Sequence, residues 1–298
     1  VRKHAGHRPQ IAAVSGKALL VSLVLAALIP GTVRAQSTPV APVELDVVLP
    51  LTGAAGFAGQ DEKRAMEAFE LNVNAHGGIA GRPLQIIYHD DQTNARVDVQ
   101  LMTEIMTRKP AVVVGPAISG LCSAVGPLMA NTGPVDYCIS PSISPAKGSF
   151  VFSNGPQQSD LIATQIRYFR DRGITKIAAI TSTDGTGQDA DRALDAEFAN
   201  ADNQRAGVQL IDREHFAPTD ISVSAQLARI KQSGAGALIA WTSGTPLGTI
   251  LRGARDSGLD IPIGTSPSNM THAQMAQYAT ILPKELFFSG APYPVGIG

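Results

Sequence analysis

Gly115-Pro116-Ala117-Ile118-Ser119-Gly120 sets a glycine, a hydroxyl and a helix start directly after a run of valines. Unpaired N–H groups at a helix start attract anions, and Ser119 adds a hydroxyl donor. The same serine can instead cap its own helix. Ile139–Ser144 follows the next apolar run and is rich in serine, which ordinary turn chemistry also favours. Thr183–Gln188, Trp241–Thr245 and Gly264–Ser266 repeat the pattern of an apolar run ending in small polar residues. Trp241, the only tryptophan, can stack on a ligand or fill a core. This is the chemistry of non-covalent recognition. Catalytic patterns are missing: there is no G-x-S-x-G, no Walker A and no H-E-x-x-H. His76, His89, His215 and His272 stand at no metal-ligand spacing. Asp184, Asp189 and Asp191 only faintly resemble a calcium loop and lack its terminal glutamate. No catalytic residue, metal or cofactor is expected.

The elements that must position these loops alternate along the chain. Strands are expected at 43–49, 84–89, 111–115, 134–139, 176–181, 208–212, 236–241 and 261–263, with Leu286 to Ser289 also strand-like. Helices are expected at 61–75, 95–108, 119–131, 159–172, 188–200, 221–233, 246–257 and 271–279. In the first helix Met66, Phe69 and Val73 share a face by 3 and 4 spacing, and Asp61 and Glu62 sit in a first turn that favours acids. Alternation of this kind predicts an α/β fold with parallel sheets and right-handed crossovers. In open parallel sheets ligands lie outside the carboxyl ends of the strands. Two such lobes facing each other make a cleft lined by the strand-to-helix loops.

Residues 49–91 carry the most specific pattern: Leu51-Thr52-Gly53, then Gly56 and Gly59, then Asn72-Val73-Asn74-Ala75-His76-Gly77-Gly78-Ile79-Ala80-Gly81-Arg82-Pro83-Leu84, then a strand and Asp90-Asp91. This order resembles the start of the mature periplasmic ligand-binding proteins of the Leu/Ile/Val-binding type, which serve ABC importers. The resemblance covers roughly residues 43 to 290 and implies two Rossmann-like lobes of the type I periplasmic-binding fold. It implies a first lobe at 36–150, a crossover at 151–155, a second lobe at 156–286 and a second crossover at 287–298. The family continues beyond this point with a further helix and strands, so the chain is expected to be truncated at its C-terminus and to leave apolar surface uncovered.

The resemblance also implies a site. The positions matching Ser119, the Ile143 N–H and the Ser144 hydroxyl give hydrogen bonds to a ligand carboxylate, with Gly120 and Ser142 beside them. Phe57, Asp184, Thr186, Trp241, Ser243 and Ser266 stand on loops that face the cleft. The departures are specific. Amino-acid binders carry an acid where Ser266 stands, to pair with the ligand's ammonium, and Pro267, Ser268 and Asn269 carry no charge either. Family aromatics are missing at Ala58, Thr186 and Ser243, although Phe57 adjoins the first. Asp184 can replace the missing charge. The implied function is delivery of a small carboxylate to the membrane permease of an ABC importer, with lobe closure on binding. Within the branched-chain amino acid family, the reading leans to an aromatic or aliphatic acid lacking an ammonium. The alternative is a ligand-sensing domain of a receptor or regulator of the same fold. An α/β hydrolase or dehydrogenase would carry a nucleophile elbow or dinucleotide loop, and neither is present.

The chain ends fit export. Arg2, Lys3, Arg8, Lys17 and Arg34 are the charged residues of the first 35, and an apolar run from Ala18 to Ile29 precedes Val33-Arg34-Ala35. This is the pattern of a secretory signal peptide at 1–35, with the mature chain beginning at Gln36 in the periplasm. The run is shorter than the ~20 residues that span a bilayer. Without those five bases, 19 basic face 25 acidic side chains, a formal charge of about −6. A mildly acidic secreted protein is a poor partner for nucleic acid, and a monomer is expected. In an oxidising compartment Cys122 and Cys138 can pair; two buried free thiols are the alternative.

Overall fold

The computed structural model describes residues 40–140, 143, 145–153 and 155–290. The expected signal peptide, Ser142, Ser144 and residues 291–298 of the second crossover lie outside the described residues. Among the described residues ten strands form two five-stranded parallel sheets. The first has the order β2-β1-β3-β4-β5, from β1 (Val43–Leu49), β2 (Leu84–Asp90), β3 (Val112–Val114), β4 (Val135–Tyr137) and β5 (Val151–Phe152). The second has the order β10-β9-β8-β6-β7, from β6 (Lys176–Ser182), β7 (Gln209–Phe216), β8 (Ala237–Trp241), β9 (Ile263–Thr265) and β10 (Leu286–Phe288). The segment expected to cross between lobes begins as β5, whose two residues extend the first sheet beside β4.

Period-two alternation sorts each strand between two helical layers. In the first lobe Val47 and Leu49 pack with Met66 and Val73 of α1 (Gly56–Ala75). On the opposite face Val48 and Val113 pack with Met102 and Ile105 of α2 (Ala95–Thr107) and Cys122 and Val125 of α3 (Ser119–Val125). In the second lobe Ile177, Ala179, Ile239 and Trp241 meet α4 (Gln158–Asp171) and α5 (Gly185–Phe198), and a short α6 (Ala201–Arg205) follows. Ala178, Ile180, Leu238 and Ala240 meet α7 (Ser224–Ser233), α8 (Pro246–Ser257) and α9 (His272–Tyr278). No helix among the described residues is long and apolar enough to cross a membrane.

Three local expectations are corrected. Helix α1 starts at Gly56, not Asp61, so Asp61 and Glu62 lie past its first turn. Gly59 permits this, because a Cβ there would sit 2.2 Å from the Pro50 carbonyl oxygen. Phe69 is 51% exposed rather than packed with Met66 and Val73. Glu70 takes the inward position, where its Oε1 accepts a hydrogen bond from the Ile86 N–H at 3.1 Å. The helix expected at 119–131 ends at Val125 and tightens to a 3-10 turn over Gly126–Met129, where Pro127 has no N–H to give an α-helical bond.

Cys122 and Cys138 form a disulfide that ties α3 to the end of β4, with their Cα atoms 6.1 Å apart. Closing a loop this short removes about 3 kcal/mol of chain entropy from the unfolded state. Replacing both cysteines by alanine should therefore lower the urea midpoint by the equivalent of about 3 kcal/mol. Equal midpoints for the oxidised wild type and the double variant would refute a stabilising role.

Candidate functional site

The described residues from Ala41 onward belong to one compact unit, and within it the carboxyl ends of the two sheets face each other. The loop after β1 is built first by its own polar residues. Thr52 donates from its N–H and its hydroxyl to the Asp90 carboxylate, at 3.1 and 2.7 Å. Thr93 bridges the same loop, its hydroxyl donating to the Thr52 carbonyl at 3.0 Å and accepting from the Ala55 N–H at 3.0 Å. Burial acts to raise the Asp90 pKa, but hydrogen bonds from Thr52 and Gln92 prevail and hold it below the usual carboxylate range. The Asp90-Asp91 pair of the motif is thus a structural clamp on the loop that carries Gly53 to Ala55.

That loop touches the second lobe. Thr245 donates its N–H to the Ala54 carbonyl at 2.9 Å. Beside it, Phe57 lines a cavity of about 440 Å³ with Gly53 and Arg64 of the first lobe and Thr245 and Ala273 of the second. A second direct contact joins the starts of α3 and α5, where Gly120 lies against Gly185 and Thr186. Next to it the Ser123 hydroxyl stands 3.4 Å from Asp189. A cavity of about 350 Å³ opens there between Ile143 and Ser123 on one side and Gln158, Asp189 and Arg192 on the other.

The expected site residues divide by environment. Ser119 is 5% exposed and Thr186 3% exposed, both covered where the lobes meet. The cap position of α3 is Ile118, with no side-chain cap. Ser119 therefore does not cap its helix, and its hydroxyl makes no hydrogen bond among the described residues. Asp184 is exposed and caps α5, accepting from the Gly187 N–H at 3.1 Å and the Ser182 hydroxyl at 2.7 Å. Its carboxylate is engaged by its own helix. Trp241 is fully buried in the second lobe's core. No ring face is open for stacking, because β8 directs this side chain inward among α4 and α5. Its indole N–H is unpaired among the described residues.

Ser243 and Ser266 belong to one hydroxyl chain. Ser243 Oγ lies 2.9 Å from Ser268 Oγ, and Ser268 Oγ lies 2.9 Å from Ser266 Oγ. The surrounding amides make this loop rigid. Asn269 Oδ1 accepts from the Gly244 N–H at 2.7 Å, and its Nδ2 donates to the Thr242 carbonyl at 2.7 Å. Gln274 Nε2 donates to the Gly244 carbonyl at 2.9 Å. The sequence marked Asn269 only as uncharged and gave no signal for Gln274, since a helical amide is ordinarily a solvated one. The hydroxyls and amides of this loop can hold neutral or anionic polar groups, and the bonds among Ser243, Ser266, Ser268, Asn269 and Gln274 include no carboxylate.

Two α/β lobes whose strand-end loops meet across a cleft lined by polar donors are the architecture of a two-lobed binding protein. Residues 42–294 match the model of the family described as periplasmic binding protein, and the chain belongs to that family. The family is non-enzymatic. Over 225 residues the chain is 26% identical to the Leu/Ile/Val-binding protein homolog 3 of Brucella melitensis, covering 73% of this chain and 58% of that protein. It therefore spans a little over half the length of that relative. Its fold is similar to the branched-chain amino acid transporter substrate-binding protein LivJ from Streptococcus pneumoniae in complex with isoleucine. That match has a TM-score of 0.75 and 19% identity over 86% of this chain and 73% of that one. It is also similar to a solute-binding protein of R. palustris in complex with 4-hydroxybenzoate, with a TM-score of 0.67 and 19% identity over 79% and 64% of the two chains. These likenesses match the α/β type I periplasmic-binding fold expected from the sequence.

Proposed function

We propose that this chain is the solute-binding component of an ABC importer, exported by its N-terminal signal and delivering a small carboxylic acid without an α-ammonium to a membrane permease. The observation that carries the reading is the pairing of an unengaged Ser119 hydroxyl in the cleft with the uncharged Ser243–Ser268–Ser266 chain. Ser119, Gly120, Ser142, Ile143 and Ser144 would hold the carboxylate from the first lobe, and Thr186, Ser243 and Ser266 would meet the rest of the ligand from the second. Phe57 would offer a flat apolar surface from its inter-lobe cavity. Relatives fit both halves of the ligand range, since one fold neighbour carries isoleucine and another 4-hydroxybenzoate.

Ser119→Ala tests the assignment. A hydrogen bond to a charged group contributes about 1.5–3 kcal/mol, so affinity for 4-hydroxybenzoate or the best-binding acid should fall by roughly one to two decades. The far-ultraviolet spectrum should not change, because no capping bond is lost. Isothermal titration giving equal affinity for Ser119→Ala and wild type would remove Ser119 from the site.

A further inference from the structure

Gly120 and Gly185 are helical glycines that their backbone does not explain. Neither has a positive φ. Gly120 is the second residue of α3 and Gly185 the first of α5, where alanine is the better helix former by up to about 1 kcal/mol. What excludes a side chain lies across the cleft. The three nearest atoms to a Cβ built on Gly120 are Thr186 N at 2.9 Å, Gly185 C at 3.1 Å and Gly185 Cα at 3.2 Å, all in the second lobe. Reciprocally, a Cβ on Gly185 would meet Gly120 Cα at 2.9 Å and Gly120 O at 3.4 Å. Favourable carbon contacts begin near ~3.5 Å, so one methyl on either residue needs the lobes to part. Gly126, a few residues on, has nothing within 4 Å of its Cβ position.

We infer that Gly120 and Gly185 form a closing seat, a pair of missing side chains that sets how near the two lobes approach. The seat covers Ser119 and Thr186, the residues on either side of it. A second contact registers the same closure: the inter-lobe hydrogen bond from Thr245 N–H to the Ala54 carbonyl at 2.9 Å. There Gly244 also lies against the first lobe, its Cβ position 1.9 Å from the Ala54 oxygen. Gly244 has φ +81°, so its glycine has a backbone reason too. The functional meaning of the seat rests on the solute-binding reading, but the contact itself is testable without a ligand.

Amide hydrogen exchange on the ligand-free chain provides the test, with the Thr245 amide as reporter. Gly120→Val should lower its protection by about tenfold or more, since a bond that opens with the lobes exchanges at their opening free energy. Gly120→Ala and Gly185→Ala should fall between valine and wild type, with melting temperatures equal to or above wild type. Gly126→Ala, the same change without a partner across the cleft, should leave Thr245 protected. Equal Thr245 protection in wild type and Gly120→Val, or equal loss in Gly126→Ala, would overturn the seat. Loss of Thr245 protection in Gly120→Val, together with a wild-type chain that binds no acid, would sink the solute reading and leave the seat standing.

Discussion

Stability against urea should fall as pH rises from about 4 to about 8, by at least about 4 kcal/mol, the equivalent of roughly three pKa units on any one of the groups involved. Four carboxyls of the first lobe are responsible. Burial, then the charge of Asp91, pushes Glu62 up to about 8. Burial raises Asp91 to about 7 against the opposing hydrogen bond from Thr93 N–H. Burial, then Asp91 and Asp136, raises Asp98 to about 8, and burial alone raises Asp136 to about 7. Both oxygens of Asp98 and of Asp136 are without partners among the described residues. A buried carboxyl in that condition is held neutral. Below pH 4 these groups are protonated in the folded and the unfolded chain alike, and they impose no pH dependence. Between about 4 and about 8 the unfolded chain releases the protons and the folded chain keeps them, so unfolding is favoured increasingly. Above about 8 both states are ionised and the slope ends. Asp98→Asn removes the group set between two other acids and should flatten the profile while raising stability at pH 8. A urea midpoint that is level or rising from pH 5 to pH 8 would contradict the four-acid account.

Ligand charge should decide selectivity before side-chain shape does. Deaminated acids such as 4-hydroxybenzoate or 4-methylpentanoate should bind at least about a hundredfold more tightly than leucine or phenylalanine, a gap of roughly 3 kcal/mol. An ammonium buried without a counter-charge loses several kcal/mol of solvation, whereas one methylene contact is worth about 0.8 kcal/mol. The position of Ser266 supplies only a hydroxyl, already shared with Ser268. Asp184, the acid the sequence offers as its substitute, is held by Gly187 and Ser182 at the start of α5. Asp184→Asn should therefore leave the order of the panel unchanged and cost only part of a helix cap. Tight leucine binding that disappears in Asp184→Asn would restore the amino-acid reading.

The alternation of elements was legible in the sequence because a parallel sheet covered by helices leaves a one-dimensional record. Strands read as short apolar runs and helices as stripes at 3 and 4 spacing, and both follow from local geometry alone. The bounds of β1 at 43–49 and of α8 at 246–257 needed nothing more. The loops at strand ends were legible for the same reason, since glycine and small polar residues punctuate each unit. The pairing of Cys122 with Cys138 was left open by spacing and decided by the packing of α3 against β4.

Which faces met was decided only by the tertiary structure. Spacing placed Phe69 with Met66 and Val73, but a hydrogen bond from the Ile86 N–H turned Glu70 inward in its place. Composition marked Trp241 as a possible ligand wall, and the inward side of β8 made it core. The meaning of Gly120 and Gly185 lies in each other, 65 positions apart in number and in contact in space. A sequence carries the local propensities and the periodicity of burial. It does not carry the distance between residues that only long-range packing brings together, and in this protein that distance determines which hydroxyls and glycines share the cleft.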